Sequence, residues 1–293
     1  MLFALVSNGS TLTPAHAGVT VPWWSFTKTV LSAAALSLVR DGRFDLDETM
    51  PEGPFTLRQL LRHGAGLADY GELPEYHAAV AGNEAPWPAD EMLRRLDATR
   101  LRYIPGDGWR YSNVGYLYVA NFIERLTGLA LEEALTRLVF SPLGLSGVRL
   151  ATTPADLEGV RMGAAQSYDP GWVYHGLLVG PLDQAAVCLD RLLAGQTLPL
   201  ALLREMHSVH TLGGPITGRP WVAPGYALGL MQGAVEGGLV LSGHTGGGPG
   251  SVIAVYWCGE GDNTASCAVF AEGGTEGAVE AKAVKRLMNA VIP

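Results

Sequence analysis

The chain has 293 residues, 48% hydrophobic and 16% charged, with a formal net charge of -8 at pH 7. That length supports one large domain or two modest ones with proper cores, and the 38 glycines and 18 prolines speak for many turns, against a coiled coil or a disordered tail. The acidic balance and the lack of any basic block exclude nucleic acid and anionic membrane surfaces as partners, because both need clustered Lys and Arg.

In chain order, residues 2–6 and 10–12 flank Ser7-Asn8-Gly9, which predicts a strand, a tight turn and a second strand. The first six residues are too short for the apolar core of a secretion signal, although Ala15-His16-Ala17 imitates a cleavage site. No apolar run approaches the ~20 residues that span a bilayer, so no membrane partner and a cytoplasmic location are expected. Residues 16–24 read as a further extended piece.

Residues 26–39 carry Lys28 as their only charge, and a helix apolar nearly all round is a buried helix. Arg40-Asp41-Gly42 closes it, with Gly42 suited to the left-handed position after the last turn. Ser25 stands at the helix entrance and Lys28 points from the same face one turn later. A buried ammonium must be paired or give up its proton. A neutral amine beside a hydroxyl is a nucleophile with its base attached. On these residues alone, Ser25 as a plain helix cap with Lys28 reaching to water is the structural alternative.

Thr56 caps a short helix with Leu57, Leu60 and Leu61 on one face, ended by Gly64. Residues 65–88 read as irregular chain over a cleft, and 90–96 as a short helix. A turn at Pro105-Gly106 delivers Tyr111-Ser112-Asn113 to a helix that runs to about Thr127 and stops at Gly128. Leu131, Ala134, Leu135, Leu138 and Val139 have helical spacing, ended by Pro142. Pro181 opens another helix, with Leu182, Ala185, Ala186, Leu189, Leu192 and Leu193 on one face. Residues 43–206 thus read as mostly helical. After about Pro220 come β-prone runs at 226–231, 238–241, 252–257 and 266–270, separated by Gly-rich turns of hairpin length, so the sheet should be antiparallel. A final helix at 279–291 presents Val284, Leu287, Met288 and Val291 to that sheet. The first strands should join the last ones. Residues 1–24 and 207–293 then form one discontinuous sheet domain with helices, and 25–206 a mainly helical domain beginning at the Ser25 helix.

Gly243-His244-Thr245-Gly246-Gly247-Gly248-Pro249-Gly250 reads as the end of one strand and the turn to the next, where glycines let a ligand approach the backbone. A phosphate-cradling loop would need a following Lys-Ser or Lys-Thr and a helix, and has neither.

Ser25-x-x-Lys28, Tyr111-Ser112-Asn113 and His244-Thr245-Gly246, in that order, resemble the penicillin-recognising serine hydrolases, in the branch with class C β-lactamases, D-Ala-D-Ala carboxypeptidases and related esterases. Supporting matches are Leu60-Leu61-Arg62-His63-Gly64-Ala65-Gly66-Leu67, Pro105-Gly106 and Ser141-Pro142-Leu143-Gly144-Leu145, so the resemblance covers residues 21–270. Gly64-Ala65 stands where the family has Thr-Ser. The family also carries a helix before its first strand, so a neighbouring subunit is expected to cover that sheet edge.

The resemblance implies an α/β (α+β) fold of the β-lactamase/transpeptidase type, an antiparallel sheet flanked by helices with an inserted helical domain. It implies a serine hydrolase that acts through an acyl-enzyme on ester or amide bonds, including β-lactams or D-amino-acid peptides. Ser25 would be the nucleophile. Lys28 and Tyr111 would share the base work, with the cation lowering the phenol pKa. Asn113 would orient Lys28, and His244 would complete the network. The backbone N–H groups of Ser25 and Gly247 would form the oxyanion hole. Thr245 and Gly246, with the aromatic walls Trp172, Tyr174 and Trp221, would bind a small-molecule ester, amide or peptide. No cofactor and no metal are expected; His207 and His210 have helical spacing but lack a third ligand. His175 reads as structural. A catalytically idle relative that binds peptide or cell-wall fragments is the rival reading. Of the three cysteines, Cys258 and Cys267 could face each other across a hairpin, but reduced core thiols are the expectation for both and for Cys188.

Overall fold

The computed structural model describes residues 1–12, 18–165 and 167–292. Ala15-His16-Ala17 lies outside them, as does the start of the expected extended piece. The strands are β1 (Leu2–Ser7), β2 (Ser10–Thr11), β3 (Thr20–Pro22), β4 (Arg149–Ala151), β5 (Leu177–Pro181), β6 (His210–Thr211), β7 (Trp221–Tyr226), β8 (Met231–Val235), β9 (Val240–Gly248), β10 (Ser251–Glu260) and β11 (Asn263–Glu272). The helices are α1 (Thr27–Arg40), α2 (Leu57–Leu61), α3 (Pro74–Ala81), α4 (Ala89–Arg95), α5 (Asn113–Thr127), α6 (Leu131–Leu135), α7 (Leu182–Leu193), α8 (Leu200–Met206) and α9 (Glu276–Val291).

Eight strands form one antiparallel sheet in the order β2-β1-β11-β10-β9-β8-β7-β6. β1 pairs along its whole length with β11, from Leu2 opposite Phe270 to Ser7 opposite Ala265. α9 packs on one face of this sheet through Val279, Ala283, Leu287 and Val291. α7 packs on the other, against β1, β10 and β11. With a helix on each face, β10 and β11 are buried on both sides, which is why they read as continuous apolar runs and not as alternating ones. Register places Cys258 opposite Ala265 and Cys267 opposite Tyr256, and all three cysteines are buried free thiols.

α1 is the central helix, packed against α5 and α6, and the turn at its entrance lies on β9 and β10. Its hydroxyls are all engaged. Thr27 Oγ1 accepts from the Leu178 N–H at 3.2 Å, Thr29 donates to Gly229 O at 2.7 Å, Ser32 meets the Tyr116 hydroxyl at 3.0 Å, and Ser37 bonds back to Ala33 O at 2.9 Å. Such satisfaction permits polar residues in a core. The expected caps are present. Thr56 and Gln59 form a reciprocal capping box at α2. Gly42 and Gly128 take positive φ of 66° and 70° after α1 and α5.

Four expectations are corrected. Residues 226–231 are not a strand: β7 ends at Tyr226, β8 begins at Met231, and Ala227 N–H bonds Leu230 O across a turn at 2.8 Å. Residues 65–88 are not irregular throughout, since Pro74 starts α3, a place where its missing N–H costs nothing. The stretch 43–206 contains two strands besides its helices, β4 and β5, which form a small sheet with β3 in the order β3-β5-β4. The run 244–248 is strand and not turn, because β9 continues to Gly248 in register with β10.

Candidate active site

The site is built where the start of α1 meets β9 and the start of α5. Trp23 and Trp24 are buried, and Trp24 takes a left-handed backbone with φ 42°. That costs a bulky residue roughly 1–3 kcal/mol, offset by packing of the indole and by a 3.1 Å bond from its Nε1 to Ser251 Oγ. A tight turn at Trp24–Phe26 then leads into α1. Ser25 sits inside this turn and is not the cap of the helix. The strand opposite must be glycine. A Cβ on Gly246 would lie 2.4 Å from Ser25 N, and one on Gly248 would lie 2.4 Å from the Trp24 ring.

Ser25 Oγ lies 3.2 Å from Lys28 Nζ and accepts from the Tyr111 hydroxyl at 3.0 Å. Lys28 is fully buried. Burial pulls its pKa down to about 7, against the opposing pull of the Asp69 carboxylate. Tyr111 departs from expectation: burial raises its pKa, so it remains a neutral phenol that donates to Ser25. The residue between Tyr111 and Asn113 is the cap of α5. Ser112 Oγ accepts from Gly115 N–H at 3.1 Å and donates to Ala68 O at 2.7 Å. Capping fixes both flanking side chains.

Asn113 is held by Asp69 and not by Lys28: its side-chain nitrogen donates to Asp69 Oδ1 at 3.0 Å and its backbone N–H to the same oxygen at 3.2 Å. Lys28 Nζ instead lies 3.1 Å from Nε2 of His175, the histidine read as structural. Burial, and next the Lys28 charge, hold His63 and His175 well below the usual imidazole range and His244 down to about 3. All three are therefore neutral at pH 7.

His244 has no nitrogen to spare. Nδ1 lies 2.7 Å from its carbonyl partner, Thr245 O, and must carry the hydrogen; Nε2 then accepts from the Tyr226 hydroxyl at 2.9 Å. Thr245 Oγ1 donates to the buried Glu280 at 2.5 Å. Trp221 Nε1 donates to the same carboxylate at 3.2 Å. Arg219 binds Glu280 and also Glu276, the latter at 2.6 Å.

Two cavities meet at Ser25, Asn113 and Gly247. The larger, about 450 Å³, takes in Tyr111, Arg219, Trp221, His244, Thr245 and Glu276. The smaller, about 310 Å³, is walled by Trp24, Tyr70, Tyr76, Tyr168 and His175. Trp172 and Tyr174 line neither. They pack edge-on behind Tyr76 and Tyr70, with the Trp172 indole bonded to Glu84 O and the Tyr174 hydroxyl to Trp87 O, each at 3.1 Å. Gly246 also lines neither cavity, being the point of closest approach to Ser25.

The Beta-lactamase family model matches residues 1–260. The chain belongs to the beta-lactamase family. This beta-lactamase-family chain is 28% identical over 210 residues to a D-aminopeptidase of Brucella anthropi, covering 69% of the chain and 38% of that protein. It is 28% identical over 153 residues to the lovastatin esterase of Penicillium rubens, covering 42% of the chain and 37% of the esterase. The chain thus spans well under half the length of these curated relatives. The D-amino acid amidase structure from Ochrobactrum anthropi superposes with a TM-score of 0.80 at 23% identity, covering 99% of the chain and 94% of the amidase, a likeness of fold.

Sequence reading missed Asp69, His175, Tyr226, Glu276 and Glu280. A lone acid in an irregular stretch and a lone histidine before an apolar run carry no spacing signal, and both reach the site only through tertiary packing.

Proposed function

We propose that this protein is a serine hydrolase acting on ester or amide bonds through an acyl-enzyme at Ser25. The observation that carries the reading is a hydroxyl bonded at once to a buried amine with a pKa of about 7 and to a neutral phenol, at the junction of two cavities. The neutral Lys28 amine takes the Ser25 proton as Oγ forms its bond to the substrate carbonyl carbon. The backbone N–H groups of Ser25 and Gly247 hold the oxyanion, each such donor being worth ~10²–10³ in rate. When the carbon–oxygen or carbon–nitrogen bond breaks, the proton on Lys28 returns to the leaving group, with the Tyr111 hydroxyl as relay. Water then attacks the acyl-enzyme with Lys28 again as base.

The cavity charges bear on the substrate. Arg219 is the cation beside the larger cavity, and it is already bound to Glu276 and Glu280. Neutral His244 adds no charge. Among the described residues that line this cavity, a free carboxylate therefore meets no unpaired cation and faces Glu276, whereas an uncharged or amine-bearing ester or amide is accepted. D-aminopeptidase and esterase relatives fit that choice.

Treatment with a fluorophosphonate should label Ser25 alone by mass spectrometry, and Ser25→Ala should abolish labelling and turnover. kcat/KM for p-nitrophenyl butyrate should exceed that for nitrocefin by more than tenfold. Labelling at another serine overturns the nucleophile; a nitrocefin preference overturns the substrate choice.

A further inference from the structure

We infer that His175 is a positioning residue for Lys28: its imidazole accepts an N–H at Nε2 and so turns the amine's lone pair toward Ser25. The inference rests on the acyl-transfer reading above. A neutral amine has two N–H bonds and one lone pair, and only the lone pair can receive the Ser25 proton. Nε2 lies 3.1 Å from Nζ, and the two side chains are 2% and 0% exposed. If Nε2 carried the hydrogen, it would donate into that lone pair and block the base. Accepting at Nε2 requires the hydrogen at Nδ1. Nδ1 is buried and has no hydrogen-bond partner among the described residues, so no contact other than that with Lys28 bears on the tautomer.

The backbone holds this contact firmly. His175 sits in a turn closed by the Gly176 N–H to Val173 O bond at 2.7 Å, with Gly176 at φ 91°. β5 follows directly and is tied to the α1 entrance twice, by Trp23 N–H to Leu178 O at 2.8 Å and by Leu178 N–H to Thr27 Oγ1 at 3.2 Å. The segment that positions the nucleophile therefore also positions the imidazole. The other groups facing Lys28 are Ser25, Asp69 from the stretch before α3, Tyr111 and Tyr116 of α5, His63 after α2 and His244 of β9. Of these, Asp69 alone is a carboxylate. The ammonium formed when Lys28 receives the proton still donates to Nε2, so His175 favours that state over an apolar replacement.

The chain has three lysines, Lys28, Lys282 and Lys285, so [ε-¹³C]lysine NMR reads the Lys28 titration directly, assigned by its loss in Lys28→Met. His175→Phe should move the Lys28 midpoint down by at least ~0.5 pH unit and lower kcat by roughly tenfold with KM little changed. His175→Gln, whose side-chain carbonyl reaches the place of Nε2, should restore both. A folded His175→Phe with an unchanged midpoint and kcat overturns the inference. If His175→Phe does not fold, ¹H–¹⁵N correlation of the wild-type histidines decides: a Nδ1–H tautomer for His175 supports the inference and a Nε2–H tautomer overturns it. Wild-type protein with a His175-dependent midpoint but no ester turnover would remove the hydrolase reading and leave the positioning role. Turnover with a His175-independent midpoint and kcat would do the reverse.

Discussion

In the proposed reaction, burial at Lys28 decides when the hydroxyl beside it is activated. A lysine whose pKa is about 7 is half neutral at pH 7. With the neutral form as the proposed base, kcat/KM should fall about tenfold per unit of acidification below ~7 and level off above it. Lys28→Met should remove that limb and cost ~10³-fold in kcat. Tyr111→Phe should cost a similar amount, and the double variant little more, since both act on one oxygen. Fully additive losses would separate the two. Tyr111 stays protonated in this scheme. A phenol lowered by its cationic neighbour was the expectation, and burial outweighs that attraction because the same burial also neutralises the lysine.

β9 is the element on which the site depends. Its run of glycines looks like a loop in the sequence, yet it is strand, and the reason is contact. Gly246 and Gly248 leave room for Ser25 and Trp24 to lie directly on the strand. Gly246→Ala should therefore displace the nucleophile turn, costing roughly 1–3 kcal/mol in stability and most of the activity. An equally active, equally stable Gly246→Ala would show that the turn can retreat from the strand. Local signals made much of the rest legible. The apolar run around Lys28 gave α1, Thr56 gave the cap of α2, and Gly128 gave the end of α5, each a short-range rule. What stayed hidden depends on distant packing. His175 reaches Lys28 from 147 positions away, Asp69 reaches Asn113 from 44, and Trp172 sits behind the cavity because Tyr76 stands in front of it.

At the scale of the whole molecule, three buried neutral imidazoles make the fold sensitive to acid. The unfolded chain binds protons at His63, His175 and His244 below ~6.5, whereas the folded chain refuses them, at His244 down to about 3. Stability should therefore fall as pH drops below ~6.5, by up to about 1.4 kcal/mol per unit for each histidine. Lys28 acts in the same direction between about 7 and 10.5, where the unfolded chain alone holds its proton. Urea midpoints measured from pH 7 to pH 5 should decline steadily, and a flat profile would mean that the imidazoles are hydrated or charged in the native state.

The pairing of β1 with β11 also has a meaning in time. Leu2 lies opposite Phe270, so β1 waits for a partner made much later in the chain. Until β9, β10 and β11 have left the ribosome, the turn that leads into α1 has no sheet to rest on and Ser25 has no Gly247 across from it. Until then the nascent chain carries an unpaired apolar strand and a lysine-bearing apolar helix, a state prone to wrong partners. In the proposed reaction the hydroxyl is activated only when the sheet closes, so a chain released before β9 would have the proposed nucleophile but not the site around it.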